Sequence, residues 1–343
     1  VREPEPGTRQ QLPGELTAAA PANDGVVRAD RRFRAMGTDC HVVVRSVERP
    51  SRSAVRGPAV EDLLDRAEAR IRDLEVLWSR FIPTSDTSRL NETSGAPVEV
   101  APETMDLLGR ADAARTATLG WFDPFLGREL AELGYDRSFE HIDLRRNTPS
   151  EIVAAPVRPA IGEPLRSRSP LRLDTEHCTA ALAGGVAFDP GGIGKGHAAD
   201  LVSAELVDDG AVGALVNLGG DLRVRGRNDR DSWRIDVSNP FDQSLEPVLG
   251  IELGDAGLAT SSPLQRRWRS ADGRAAHHLL DPRNGAPAAI ELAAITVVAP
   301  SAATAEVLTT AVALAGPIHG AALLSRHEAR AWIVRLDGAV GPV

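Results

Sequence analysis

The chain has 343 residues, 42% of them hydrophobic and 25% charged, with a formal net charge of −9 at pH 7. That length suits one large domain or two closely packed lobes, and the composition is ordinary for a globular protein. No Lys/Arg run is interleaved with aromatics and no apolar run approaches a membrane span, so neither nucleic acid binding nor an integral membrane segment is expected.

Residues 1–31 carry Pro, Gly, Glu and Gln without an apolar signal region, which predicts a disordered leader before one domain over 32–343. With no signal or lipobox cysteine, the expected compartment is the cytoplasm. The two cysteines, Cys40 and Cys178, lie far apart, and their spacing suggests no metal or iron–sulfur cluster.

The run Val42, Val43, Val44 predicts a strand over Cys40–Val47. Apolar residues at Val60, Leu63, Leu64, Ala67, Ile71, Leu74 and Trp78 recur every three or four positions, the mark of an amphipathic helix. Its other face, with Glu61, Asp62, Asp65, Glu68 and Arg72, is expected to be solvated. A second helix is expected over Glu103–Ala117. From Arg137 to Leu171 the pattern weakens, and a connection or short surface elements are expected. A helix over His197–Val207 then precedes a strand over Ala214–Leu218. Further strands are expected near Trp233–Val237, Val248–Leu253, Ala294–Ala299 and Ala331–Leu336, with a helix over Ala302–Ala315. Helices and strands without a regular βαβ rhythm point to an α+β fold.

Four segments have chemistry in them. Asp189-Pro190-Gly191-Gly192-Ile193-Gly194-Lys195-Gly196 opens a helix, where glycines admit close backbone approach and free N–H groups favour an anion. It is not a Walker A loop, because the spacing differs and Gly196 stands where Ser/Thr is required. A tight strand–helix turn is an equal reading. Asn217-Leu218-Gly219-Gly220-Asp221 reads by itself as a turn after a strand. Ser261, His278 and Asp281 fall close together, but no Gly-x-Ser-x-Gly elbow surrounds the serine, which weakens a hydrolase reading. His278 and Asp281 form either a proton-handling pair or part of the Asp281–Gly285 turn. Glu306 and Thr310, at i and i+4, place a carboxylate and a hydroxyl on one helix face, both oxygen donors suited to magnesium, although read alone the pair is first of all an ordinary helix surface.

Taken in order, these segments resemble the ApbE family, the FAD:protein FMN transferases. The resemblance begins at Met36-Gly37-Thr38 and continues through Ser79-Arg80-Phe81-Ile82-Pro83, Ser85 and Arg89-Leu90-Asn91. It then takes in Gly120-Trp121-Phe122-Asp123-Pro124, Asp189 to Gly196 with Asp200, and Asn217 to Asp221. Ala259 to Ser261, His278 to Gly285 and Ala305 to Thr310 complete it.

The resemblance implies an ApbE-like α+β fold. It also implies an enzyme that moves FMN from FAD to a Thr or Ser of an acceptor flavoprotein and releases AMP. On that reading Met36, Phe81, Trp121, Phe122, Asp123, Asp189, Lys195 and His278 contact FAD. The Gly192 carbonyl and the Glu306 and Thr310 side chains hold Mg2+. His278 or Asp281 is the candidate for taking the acceptor's proton. An FAD pyrophosphatase and a non-catalytic flavin-binding or assembly protein are the alternatives at the same site. The chain departs from the family pattern twice: Glu306 stands where Asp is usual, and Ser262 where Gly is frequent.

Overall fold

The computed structural model describes residues 26–47, 59–93, 95–142, 169–228, 232–270 and 272–343. Its centre is an eight-stranded sheet in which every pair of neighbours is antiparallel. β1 (Val26–Ala35) and β2 (Thr38–Val47) form a hairpin at one edge. The order continues through strands Gly213–Leu218, Asp221–Gly226, Ala256–Ser261, Leu292–Ala299, Arg330–Arg335 and Val340–Pro342.

Period-2 alternation sends successive side chains to opposite faces, so both sides of the sheet can be buried. Val42, Val44, Ala214, Val216, Ala259 and Val297 face the main core. That core is shared with helices α1 (Val60–Trp78), α2 (Asp86–Glu92) and α3 (Pro102–Ala117), while α4 (Gly127–Glu132) puts Leu130 into a separate cluster with Tyr135 and Trp268. Helices α5 (Gly194–Asp208) and α6 (Ala302–Arg326) join the main core and, with α1, pack closest to the sheet. Val43, Leu215, Val224, Leu258 and Val298 point the other way, against a hairpin of strands Trp233–Val237 and Leu249–Leu253.

The α+β expectation holds, and the long periodic helix ends where its apolar spacing ends. Three differences have physical causes. The expected leader runs too far: Val26–Asp30 and Arg31 belong to β1, while residues 1–25 lie outside the described residues. β1 holds four arginines and an aspartate, and beyond Val26 and Val27 it has no β-branched residue. Its Arg31 is gripped by Glu61 at 3.2 Å, by Asp65 and by Glu68 at 3.5 Å, so part of the α1 face expected to be solvated is paired instead. Most of the expected connection, residues 143–168, also lies outside the described residues.

The third difference is in α6. This helix is long and apolar enough to cross a membrane, with a mean hydropathy of 1.7 over its best window, contrary to the expectation that no run approaches a span. Here Ala302, Ala305, Leu308, Ala311 and Val312 are buried against sheet and helices. The helix is also broken at Gly316, whose φ of 74° and following Pro317 interrupt the hydrogen-bond ladder. The expected end at Ala315 is that break.

Candidate functional site

A cavity of about 730 Å³ opens where the β1–β2 hairpin, the α4 region, the start of α5 and the middle of α6 meet. Its first wall comes from the two-residue hairpin loop Met36–Gly37. Both residues have positive φ, 51° and 64°, as a type I′ turn requires. Met36 accepts that conformation despite its Cβ, and its side chain lines the cavity. Gly219 lies directly beneath: a Cβ there would meet Thr38 Oγ1 at 2.1 Å, so only glycine lets the two turns touch.

The aromatic wall follows α3. Leu119 and Gly120 turn the chain with positive φ, and Thr118 Oγ1 accepts the Phe122 N–H at 3.2 Å. Trp121, Phe122 and Asp123 thereby reach the cavity. Asp123 is held from behind, accepting the Phe125 N–H at 3.0 Å and lying 3.4 Å from the buried Arg115. On the far side Phe81, Tyr135 and Phe139 line the cavity, and the Arg80 guanidinium lies 4.3 and 4.4 Å from the centres of the Phe81 and Tyr135 rings.

The glycine-rich segment forms the floor. Asn91 clamps the extended segment before it, donating to the Phe188 carbonyl at 2.8 Å and accepting the Phe188 N–H at 2.7 Å. Asp189 caps the following 3₁₀ turn, accepting the Gly191 N–H at 3.0 Å, and lies 3.4 Å from Arg80. Gly192 sits against Phe122, where a Cβ would come within 2.9 Å of the ring. Gly196 brings α5 onto α6: its Cβ would meet the Ala302 carbonyl at 2.4 Å.

That close approach builds the polar centre. Lys195 Nζ bridges two carboxylates, Asp221 and Glu306, the latter at 2.5 Å. The second Glu306 oxygen accepts the Gly196 N–H at 2.7 Å. Burial depresses the Lys195 ammonium, but Asp221 and Glu306 more than offset it, and the group is held above its ordinary value. Burial and then Asp221 push Glu306 upward as well, to about 7, against the pull of Lys195 and of the Gly196 N–H. Thr310, one turn beyond Glu306, also lines the cavity. Thr309 faces inward instead, donating to the Glu306 carbonyl at 2.7 Å and bonded to Ser261 Oγ at 2.7 Å.

All eleven expected site residues other than Asp281 — Met36, Phe81, Trp121, Phe122, Asp123, Asp189, Gly192, Lys195, His278, Glu306 and Thr310 — line this one cavity. Burial, with Arg266 and His277 beside it, holds the His278 imidazole well below the ordinary histidine range, so it is neutral near pH 7. Asp281 is the exception. It lies outside the main cavity, in a neighbouring pocket of about 100 Å³, and its oxygens are taken by Arg283. Asp221 was legible only as a turn residue; its carboxylate is aimed at Lys195 by the Gly219–Gly220 turn, both glycines having positive φ.

A model of the ApbE family matches residues 36–333. The chain belongs to the ApbE family. It is 26% identical over 314 residues to an FAD:protein FMN transferase of Haemophilus influenzae, covering 89% of this chain and 86% of that protein. Over 309 residues it is 27% identical to one of Treponema pallidum, covering 84% and 79%. The fold matches the ApbE protein of Thermotoga maritima with a TM-score of 0.73 at 25% identity, over 92% of this chain and 97% of that one. It matches the flavinyl transferase ApbE of Pseudomonas stutzeri, in its apo form, with a TM-score of 0.70 at 25% identity, over 93% and 95%.

Against the ApbE pattern the two departures have local consequences. The extra methylene of Glu306 lets its carboxylate span from Lys195 to the Gly196 N–H. Ser262 uses its hydroxyl as a clamp, donating to the Ala293 carbonyl at 2.6 Å and accepting the Leu264 N–H at 3.1 Å, so its turn is held by a side chain.

Proposed function

We propose that this protein transfers FMN from FAD to a Thr or Ser hydroxyl of an acceptor flavoprotein and releases AMP. The observation that carries the reading is one cavity that joins ring-binding walls to a buried ammonium–carboxylate centre. A dinucleotide needs both, rings at its ends and charge in its middle. Met36, Phe81, Trp121 and Phe122 offer apolar and aromatic surface to the rings. Lys195 offers a fixed positive charge to the pyrophosphate.

The residues present also suit Mg2+. Among the described residues no group of three or more His, Cys, Asp or Glu forms a metal site by itself. The donor set is instead one carboxylate (Glu306), one hydroxyl (Thr310) and one carbonyl (Gly192), all oxygens. Magnesium is characteristically bound by few carboxylates together with substrate phosphates and water. A buried carboxyl raised to about 7 gains from a cation beside it. When bound, the metal supplies charge neutralisation at the pyrophosphate oxygens.

In the reaction the acceptor oxygen forms a bond to the FMN phosphorus as the bond from that phosphorus to the bridging oxygen breaks, and AMP leaves with that oxygen. The chain's part is largely orientation and electrostatics. Lys195 offsets the charge that develops on the leaving phosphate. That His278 is neutral and lines the cavity supports it as the group that accepts the hydroxyl proton.

The test is incubation with FAD and Mg2+, with and without an acceptor bearing an Asp-x-x-Ser/Thr-Gly-Ala-Thr-like segment. The expected result is AMP release only with acceptor, and an acceptor mass increased by one FMN. AMP release without acceptor would make the protein a hydrolase, and FAD bound but uncleaved would make it a binding protein.

A further inference from the structure

Asp281 begins the turn that carries the chain away from His278. Its carboxylate is fully engaged within that turn. Oδ1 accepts from Arg283 Nε at 2.7 Å and from the Arg283 N–H at 3.0 Å, and Oδ2 accepts from Arg283 Nη2 at 2.5 Å. The Asp281 carbonyl accepts the Gly285 N–H at 2.8 Å, closing the loop. Gly285 is pressed against α4, where a Cβ would lie 2.8 Å from Glu129 Cγ. The side chains of this ion pair are only 15% and 10% exposed for Arg283 and Asp281.

The guanidinium that this fork immobilises lies 5.1 Å from the centre of the Trp121 ring. Trp121 lines the main cavity, and its ring is 6.2 Å from that of His319, just past the break in α6. Leu314 borders both cavities and is the partition between them. Burial raises the Asp281 carboxyl, but hydrogen bonds from Arg283 outweigh it and hold the group below the usual carboxylate range. Such a carboxylate is a poor proton acceptor.

We propose that Asp281 is a positioning residue: through Arg283 it fixes Trp121 in the wall of the FAD cavity, and it takes no proton from the acceptor. This rests on FAD being the ligand of that cavity. A planar cation parked on an indole restricts the ring's orientation and is itself restricted by a bidentate carboxylate. A ring wall held in one orientation before binding lowers the ordering cost of a stacked ligand.

The test is a set of three variants, each measured by fluorescence titration with FAD and by steady-state AMP release. Arg283→Ala is expected to weaken FAD binding by about tenfold and to raise KM in step, with kcat falling by less than about threefold. Arg283→Lys keeps a cation for the ring but not the fork, and should recover part of that affinity. Asp281→Asn keeps one acceptor oxygen for Arg283, and is expected to raise KM more than it lowers kcat. The proposal is overturned if Asp281→Asn lowers kcat by about a hundredfold or more with FAD affinity intact, the signature of a lost proton acceptor. It is equally overturned if Arg283→Ala binds FAD as the parent does. Parent protein that binds FAD but transfers nothing would sink the transfer reading and leave the affinity comparison standing.

Discussion

Lys195 is held between Asp221 and Glu306, and removing one charge from such a buried set leaves the others uncompensated. Lys195→Met is therefore expected to lower stability by about 3 kcal/mol and transfer by at least about a hundredfold, checked by urea unfolding and AMP release. Glu306→Asp asks a narrower question. The shorter side chain cannot span from Lys195 to the Gly196 N–H, 2.5 and 2.7 Å from the present carboxylate oxygens. Its melting temperature should fall by a few degrees, while magnesium-dependent transfer stays within about tenfold of the parent. Loss of metal dependence in that variant would show that the longer side chain is required at this site. At this scale the sequence was informative about residue types and silent about pairing. The i, i+4 spacing of Glu306 and Thr310 puts them on one helix face but only the family resemblance singles them out, and nothing in Asn217–Asp221 announced that Asp221 would meet an ammonium from α5. Partnerships across sequence-distant segments depend on tertiary approach, which local patterns do not encode.

Among the elements, α6 decides where Glu306 and Thr310 stand, and Asp200 of α5 decides where α6 begins. Its two carboxylate oxygens accept the N–H groups of Ala302 and Ala303, each at 2.9 Å, while Ser301 caps Thr304 at 3.1 Å. An anion at a helix N-terminus satisfies free donors and opposes the helix dipole. Asp200→Ala should cost about 1–2 kcal/mol by loss of the cap, and should weaken FAD and Mg2+ binding together because Glu306 and Thr310 ride on the same helix. Calorimetric titration of both ligands checks this; unchanged affinities with lowered stability would confine Asp200 to a structural role. The ends of periodic helices were readable because their apolar spacing stops with the packing, as in α1. The β1 strand was not, because its stability comes from ten cross-strand pairs with β2 and from Arg31 meeting the acidic face of α1. Its own residues, among them Arg28, Asp30, Arg31, Arg32 and Arg34, carry little β propensity.

For the molecule as a whole, acid stability depends on how the helices interlock behind the cavity. His197 of α5 stacks on Trp78 of α1, with ring centres 5.5 Å apart, and its Nε2 lies 3.0 Å from Asp106 of α3. Burial, then Arg110, lowers its pKa to about 4 despite Asp106. Between about 6.5 and about 4 the unfolded chain binds a proton there that the folded chain does not. Stability from this site is thus constant above pH 6.5 and falls as the pH drops toward 4, by up to about 3 kcal/mol. Unfolding of the parent and of His197→Gln at pH 7, 5.5 and 4.5 checks the sign: the variant should show the shallower acid limb. The α+β class was legible because helices and strands follow one another without a repeating crossover, but the order of the strands was not. The pairing of β2 with the strand Gly213–Leu218, Val44 opposite Ala214, joins segments separated by nearly half the chain.

That pairing bears on how the protein is made. Until the ribosome has delivered Gly213–Leu218 and the strands beyond it, the β2 edge of the hairpin has no partner strand and Val42 and Val44 lack the part of their core that α5 and α6 supply. Closing so long a loop carries a large entropy cost before any contact offsets it, so the central sheet is expected to assemble late and slowly. The Met36 turn, which needs Gly219 beneath it, is completed in the same late event. A nascent chain arrested before residue 213 should therefore be held in a protease-sensitive, chaperone-dependent state, and the cavity should come into being only as synthesis ends.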